Sequence, residues 1–277
     1  MLETSIKKIS VIINTLNEEK NIEYCIRSIQ GFADEIIVCD MHSDDKTSAI
    51  ALELGARVIY FPRGGFVTAA RYYACTQATG EWIFMLDADE RPTQKLLGKY
   101  TELSKRDDID CVVCAVIPYM FGDFVYYGGW YEVQFPRFFR KKLFLDNYNP
   151  EHENMPHMDF HAAALAKNKV NLPRDFYIIH FNYDTVQEFV TRTIGKYAAD
   201  EGKLRASRGE SLSWKRLSKK ILSYIYYMFI KGKGYKDGRR GWFLAMLLIM
   251  YKILIELNIW FYGTQQDKHK EGQTPVR

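Results

Sequence analysis

The stretch EWIFMLDADERP, residues 81–92, decides how the rest of the chain is read. Five apolar residues, Trp82 to Leu86, make a run of strand length that gives way at once to Asp87, Ala88, Asp89, Glu90 and Arg91. A short run that is apolar at every position belongs in the middle of a sheet covered on both faces. Three acids and an arginine directly after such a strand form either a solvated strand end or the carboxylate half of a cation site.

Working outward, apolar runs of strand length recur at 9–13, 36–39, 57–61 and 111–117. Helical periodicity separates them at 18–30 (Ile22, Cys25, Ile26, Ile29), 46–54, 66–78 and 93–104. This alternation predicts an α/β fold with a Rossmann-like, mostly parallel sheet flanked by helices. Ligands of such sheets bind beyond the carboxyl ends of the strands. Those ends carry Asn14-Thr15-Leu16-Asn17-Glu18-Glu19, Asp40-Met41-His42-Ser43-Asp44-Asp45 and Asp87-Ala88-Asp89. No GxGxxG follows the first strand, which argues against a dinucleotide cradle. Asp40 suits hydrogen bonding to a ribose or base, while turn and cap chemistry before Lys46-Thr47 is the competing account of Asp40, Asp44 and Asp45. Asp87 and Asp89 place two carboxylates on a turning backbone, an arrangement that holds Mg²⁺ or Mn²⁺ together with substrate phosphates.

Composition agrees with a folded chain. Of 277 residues, 47% are hydrophobic and 15% aromatic, which excludes a mainly disordered protein. Cys111 and Cys114 form a lone CxxC inside a strand, where residues three apart face opposite sides and cannot share a metal. All five cysteines are therefore expected to be buried, reduced thiols in a cytoplasmic protein, and the first residues show no signal-peptide pattern. The net charge of +4 is unevenly spread: residues 203–240 carry +10, which leaves −6 for the remainder. Such a basic segment points to an anionic surface, membrane or nucleic acid.

After residue 118 the pattern turns aromatic and glycine-broken, and 149–161 gathers His152, His157 and His161 with Glu151, Glu153 and Asp159. That segment is too polar and too rich in proline for a core element, so a loop near chemistry is expected. Residues 212–230 place Leu217, Ile221, Ile225 and Met228 on one helical face and Lys215, Arg216, Lys219 and Lys220 on another, the pattern of a helix lying on anionic lipid. The uncharged stretch from Gly241 to Tyr251 is 11 residues, too short to span a bilayer. It reads as an interfacial or re-entrant helix, one packed on a neighbouring subunit, or a helical pair completing the core.

Three blocks, SVIINTLNEEKNI (10–22), EIIVCDMHSDDKT (35–47) and ATGEWIFMLDADER (78–91), resemble in order and spacing the family 2 glycosyltransferases of the GT-A fold. FPRFFRKK (135–142), His152-Glu153, IIHFNYDTVQEFV (178–190) and KGKGYKDGRRGWFLAMLLIMYKIL (231–254) are similar to a bacterial subgroup that adds glucose to lipopolysaccharide core. The resemblance implies a GT-A catalytic domain over 1–202, and the basic, amphipathic pattern marks 203–277 as a membrane-associating helical region. It implies that Thr15, Asn17, Glu19 and Asp40 hold the nucleotide, that Arg71 reaches the diphosphate, and that Asp87 and Asp89 form the metal–diphosphate motif with His180 as a third ligand. Asp89 is the expected direct ligand and Glu153 the expected base, with Glu151 and Asp159 as rivals; a single displacement with such a base inverts the anomeric centre. The implied partners are a UDP-sugar, a lipid-linked glycan acceptor and the inner face of the cell membrane, with oligomerisation through the C-terminal helices open and no nucleic acid. A nucleotidyltransferase would need a glycine- and basic-rich loop after the first strand, where Asn17-Glu18-Glu19 stand. A non-catalytic protein acting through its basic tail is the third reading.

Overall fold

The computed structural model of the chain describes residues 8–64, 67–128, 134–151 and 161–270. The chain divides into two compact units, Met1–Ile117 with Val133–Phe181, and Pro118–Glu132 with Asn182–Arg277.

The first unit opens with the expected alternation. Strands β1 (Ile9–Thr15), β2 (Glu35–Asp40), β3 (Arg57–Tyr60) and β4 (Trp82–Asp87) are separated by helices α1 (Ile22–Ser28), α2 (Thr47–Glu53) and α3 (Thr68–Gln77). They lie side by side in the order β3-β2-β1-β4, with all three pairings parallel. Trp82 through Leu86 are fully buried, as a strand packed on both faces requires. Alternation sends Val11, Ile13, Phe84 and Leu86 into one core and Ile12, Ile37, Ile83 and Met85 into the other. At the entrance to β4 a Cβ on Gly80 would stand 2.6 Å from the Ser10 backbone nitrogen, so only glycine lets the two strands approach.

The acidic stretch does not run out to solvent. After a corner at Ala88 and Asp89 the chain enters a short strand, β5 (Glu90–Pro92), and then α4 (Gln94–Ser104). Strands β6 (Cys111–Met120), β7 (Asp123–Phe124), β8 (Gln134–Arg140), β9 (Lys169–Asn171) and β10 (Tyr177–Tyr183) follow, with helices α5 (Lys141–Asp146) and α6 (His161–Ala164) between β8 and β9. The sheet continues β4-β8-β6-β10-β5, and here β4–β8, β6–β8 and β5–β10 are antiparallel. The parallel sheet expected from the sequence is thus the first half of a mixed one. Apolar runs alone could not tell the two halves apart, because strands buried on both faces look alike in either direction. Trp82, Phe138 and Tyr100 stack in sequence at centroid distances of 4.5 and 4.4 Å, which fixes β8 and α4 against β4. Cys111 and Cys114 do fall in opposite cores, and all five cysteines are buried free thiols.

The second unit is mostly helical. Helix α7 (Val186–Phe189) runs through a π-helical segment, Val190–Tyr197, into α8 (Ala198–Ser207). Helix α9 (Trp214–Ile225) ends in a π turn, Tyr226–Lys231, and a tight bend over Gly234–Asp237 leads into α10 (Gly238–Lys270). The boundary expected after residue 202 falls inside α8. Gly202 makes the α8–α10 crossing close: a Cβ there would meet Asn258 at 2.4 Å. Ala198, Ile255 and Ile259 form the apolar seam of that crossing.

Candidate active site

The corner after β4 brings four acidic and basic groups together by pairing strands distant in sequence. Register places His180 of β10 opposite Glu90 of β5, and the Phe181 amide donates to the Asp89 carbonyl at 2.9 Å. His180 Nε2 thereby comes 3.2 Å from Asp89 Oδ2, with both side chains partly open to solvent. Burial works against a charged imidazole, but the Asp89 carboxylate, with Glu90 and Asp87 beyond it, outweighs burial and raises His180 to about 9.

Asp87 is engaged differently. Its side chain points to the α3 side of the sheet, where Arg71 donates to Oδ1 at 2.5 Å, and Arg137 NH1 lies 3.7 Å from Oδ2. Burial disfavours the Asp87 carboxylate, but Arg71, Arg137 and His180 reverse that and hold it well below the usual carboxylate range. Arg137 also donates to Glu90 at 2.5 Å, and Glu90 in turn accepts from the Asp87 amide at 3.0 Å. Glu90 is fully buried; burial pushes it up, Arg137 pulls it down, and the neighbouring Asp87 leaves it raised to about 6. Arg91 ties the corner to α1 by donating to the Ala88 and Asn21 carbonyls, each at 2.8 Å.

The loops after β1 and β2 are laced to each other. Asn17, at φ +58°, donates its amide to Ser43 Oγ at 2.8 Å and accepts the Asp44 amide at 2.8 Å. The Glu18 amide donates to Thr47 Oγ1 at 2.8 Å. Glu19 and the Asp45–Lys46 turn exchange bonds, Glu19 N to Asp45 Oδ2 and Lys46 N to Glu19 Oε2, both at 3.1 Å. Asp40 is 1% exposed and accepts from the Ser43 amide at 3.0 Å, from Ser43 Oγ at 2.6 Å and from Ser48 Oγ. These four residues therefore hold the loops in shape, the cap-and-turn account of Asp40 included. At the end of β1, by contrast, the Asn14 amide and the Thr15 hydroxyl are buried with no hydrogen-bond partner among the described residues. Asn14 is in register with Asp87 and Thr15 with Asp40, so both lie at the sheet's carboxyl edge.

The structure thus gathers Asp87, Asp89, Arg71 and His180 at one corner, and Thr15, Asn17, Glu19 and Asp40 at the neighbouring strand ends. Arg71 is committed to Asp87 in this state. Glu153 and Asp159 lie outside the described residues; Glu151 is exposed, its amide donating to Asn149 Oδ1 at 3.0 Å. Among the described residues no group of three His, Cys, Asp or Glu side chains forms a ready metal cage. A concavity lined by Gly80, Glu81, Arg140, Lys141 and Asn168 opens at the opposite, amino end of β4, remote from this chemistry. Sequence reasoning did not single out Arg137, although an arginine amid Phe135, Pro136, Phe138 and Phe139 signals a buried partner.

Comparison with known proteins agrees with the geometry. The sequence profile described as "Glycosyl transferase family 2" matches residues 10–170. An uncharacterized glycosyltransferase of Rickettsia felis is 25% identical over 264 residues, which cover 90% of this chain and 88% of that protein. A second one, from Rickettsia bellii, is 44% identical over 96 residues, covering 35% of this chain and 32% of its own. In structure, S. aureus TarS 1–349, solved in complex with UDP, superposes with a TM-score of 0.53 at 19% identity, covering 97% of this chain and 93% of its own. The family's profile spans more than half of the chain and takes in both the lattice of loops after β1 and β2 and the acidic corner after β4, and the chain belongs to glycosyl transferase family 2.

Proposed function

We propose that the chain transfers a hexose, glucose in the first instance, from a UDP-sugar to a lipid-linked or cell-surface glycan, with a divalent cation and with inversion. The observation that carries this reading is the Asp89–His180 pair, 3.2 Å apart and partly open to solvent at the carboxyl edge of the sheet. A carboxylate oxygen and an imidazole nitrogen are a fitting pair for Mn²⁺ or Mg²⁺ when phosphate oxygens and water complete the shell. When bound, such a cation would neutralise the charge that collects on the leaving diphosphate. His180 would hold such a cation through its neutral imidazole nitrogen, beside the Asp89 carboxylate.

The chain's own residues then have distinct tasks. Asp89 and His180 would hold the cation; Asp87, pinned by Arg71 and Arg137, would orient the guanidinium groups beside the diphosphate. Leaving a buried polar group without a partner costs roughly 1–3 kcal/mol, so the Asn14 amide and Thr15 hydroxyl fit groups reserved for the donor. Asn17, Glu19 and Asp40 keep the loops that receive the nucleotide in shape. UDP as the nucleotide is supported by the TarS complex, which shares the fold. Lipopolysaccharide core as acceptor, and with it the cytoplasmic face of the membrane, rests on the resemblance of 135–142, 178–190 and 231–254. Glu153 is the proposed base: Glu153→Gln should keep donor binding and lower turnover by a factor on the order of 10².

The test is a thermal-shift panel of UDP, UDP-glucose, UDP-N-acetylglucosamine and GDP-mannose with and without Mn²⁺. A UDP-sugar at about 100 times its Kd should stabilise the wild type by about 2.7 kcal/mol. That stabilisation should require Mn²⁺ and vanish in Asp89→Asn. No shift with any nucleotide, or an equal shift in Asp89→Asn, would overturn the reading.

A further inference from the structure

Helix α10 looks long enough to cross a membrane: residues 234–265 contain an 18-residue window of mean hydropathy 1.8, of which only 33% is buried. What matters is which side is covered. Glu256 faces inward and is fully buried, accepting from Arg216 at 2.7 and 3.0 Å, with Lys220 and Arg205 each at 3.4 Å. Lys252 is also turned away, its Nζ 5.3 Å from the Tyr224 ring centroid. The adjoining side, about a quarter-turn round the helix, carries Phe243, Met246, Met250, Ile253, Leu257 and Trp260, at alternating spacings of three and four residues. Apart from Ile253, which is half-buried, these are between 37 and 57% exposed. The stripe is about 25 Å long at 1.5 Å per residue.

Helix α9 lies antiparallel beside α10, as the contacts 229–242, 224–252 and 216–256 show. It adds its own outward side chains, Trp214, Leu222 and Ile230, each about two-thirds exposed. Lys215, Lys219 and Lys231 stand among them, exposed and in no ion pair with the described residues. The acids of this region are already engaged: Glu210 with Arg205 and Arg216, Asp237 with the Tyr126 and Tyr127 amides, and Glu256 as above.

We infer that this α9–α10 face lies in the plane of an anionic lipid bilayer, with the α10 stripe among the acyl chains and the lysines at the headgroups. Tryptophan flanking both ends of the stripe (Trp242, Trp260) and lysines beside it are the chemistry of that boundary. A crossing orientation would drag Glu256 and its three cations into hydrocarbon with it, which is costly. A second copy of the chain would set the +10 segment against itself, whereas anionic headgroups neutralise it.

The experiment is co-sedimentation of the full chain with vesicles of phosphatidylcholine alone or with about one-third phosphatidylglycerol. It needs no donor, so its failure is separable from that of the glycosyltransferase reading. Wild type should bind the anionic vesicles at least roughly tenfold more tightly than the neutral ones, and less tightly as salt rises. Met246→Glu/Met250→Glu and Lys215→Glu/Lys219→Glu alter exposed side chains only, and each should weaken binding roughly tenfold or more with an unchanged circular dichroism spectrum and Tm. Equal binding to both vesicle types, or retention by either variant, would overturn the inference. So would resistance to alkaline extraction, which marks a spanning helix, or a dimer in light scattering that Met250→Glu dissociates.

Discussion

In the first compact unit charge goes inward: Arg71, Arg137, Asp40 and Glu90 are each no more than 4% exposed, and all are hydrogen-bonded at the carboxyl edge of the sheet. In the second unit the traffic runs the other way. Its single fully buried acid, among the described residues, is Glu256, while Trp214, Leu222, Ile230, Trp242, Phe243 and Met246 are all more than half exposed. Each arrangement works against stability or solubility taken alone, since buried ion pairs seldom repay their desolvation and exposed apolar stripes invite association. The two units differ in what they enclose: the first holds its charges paired at the sheet edge, and the second leaves apolar helix surface uncovered.

Among the charged groups, the largest effect should come from opening the buried charge cluster. Arg137→Ala leaves Glu90 in the core without its guanidinium and should cost about 3–5 kcal/mol in urea denaturation. Replacing both residues, Arg137→Met with Glu90→Leu, should recover most of that loss while donor binding stays impaired; equal losses in single and double variants would mean that packing, not charge, is at stake. Next comes Asp89→Asn, on the solvent side of the same corner. It should lower turnover on the order of 10² or more, and its loss of folding stability relative to wild type should shrink as pH rises through about 9, where His180 gives up its proton.

A smaller effect is expected at the amino edge of the same sheet. Glu35 accepts from Ser10 Oγ at 2.6 Å, from the Thr79 amide at 2.8 Å and from Arg57 at 2.8 Å. Burial would raise it, but these bonds dominate and lower it to about 2. A carboxyl depressed in the folded state stabilises above its ordinary value of 4.5, and that stability is lost as pH falls toward 2. Glu35→Gln should therefore lose about 2–3 kcal/mol at neutral pH, with the difference from wild type shrinking between pH 4.5 and 2 in acid titrations. The smallest effect belongs to the second unit's stripe. Met250→Glu should alter stability by no more than about 0.5 kcal/mol, whereas Met85→Glu, fully buried in the first unit, should prevent folding. Comparable costs at the two methionines would erase the contrast between the units.

Much of this was legible along the chain. The run Trp82–Leu86 and its acidic end located the central strand and its carboxyl corner, because burial on both faces leaves an unbroken apolar signature. The loops after β1 and β2 were identified as site loops, but the work that Asn17, Glu19 and Asp40 do within the protein was not: reciprocal bonds between two loops need both loops in place. Arg71, expected at a diphosphate, also pairs with Asp87, a contact that exists only once α3 is docked against β4. The stretch from Gly241 to Tyr251 was legible as apolar, yet its exposure depended on which sides of α10 are covered by α8 and α9.

By itself the sequence determined the elements, the alternation of β1 to β4, the place of the two carboxylates and the basic, amphipathic character of the C-terminal helices. These follow from local periodicity and backbone preference, which neighbouring residues encode. Only the tertiary structure decided that Glu90 turns back into a strand, that Arg137 reaches Glu90 from 47 residues away, that His180 faces Asp89 across β5 and β10, and that one side of α10 stays uncovered. Such pairings depend on register between strands and on helix crossings far apart in the chain, and a charged side chain's role is set by the partner that register delivers.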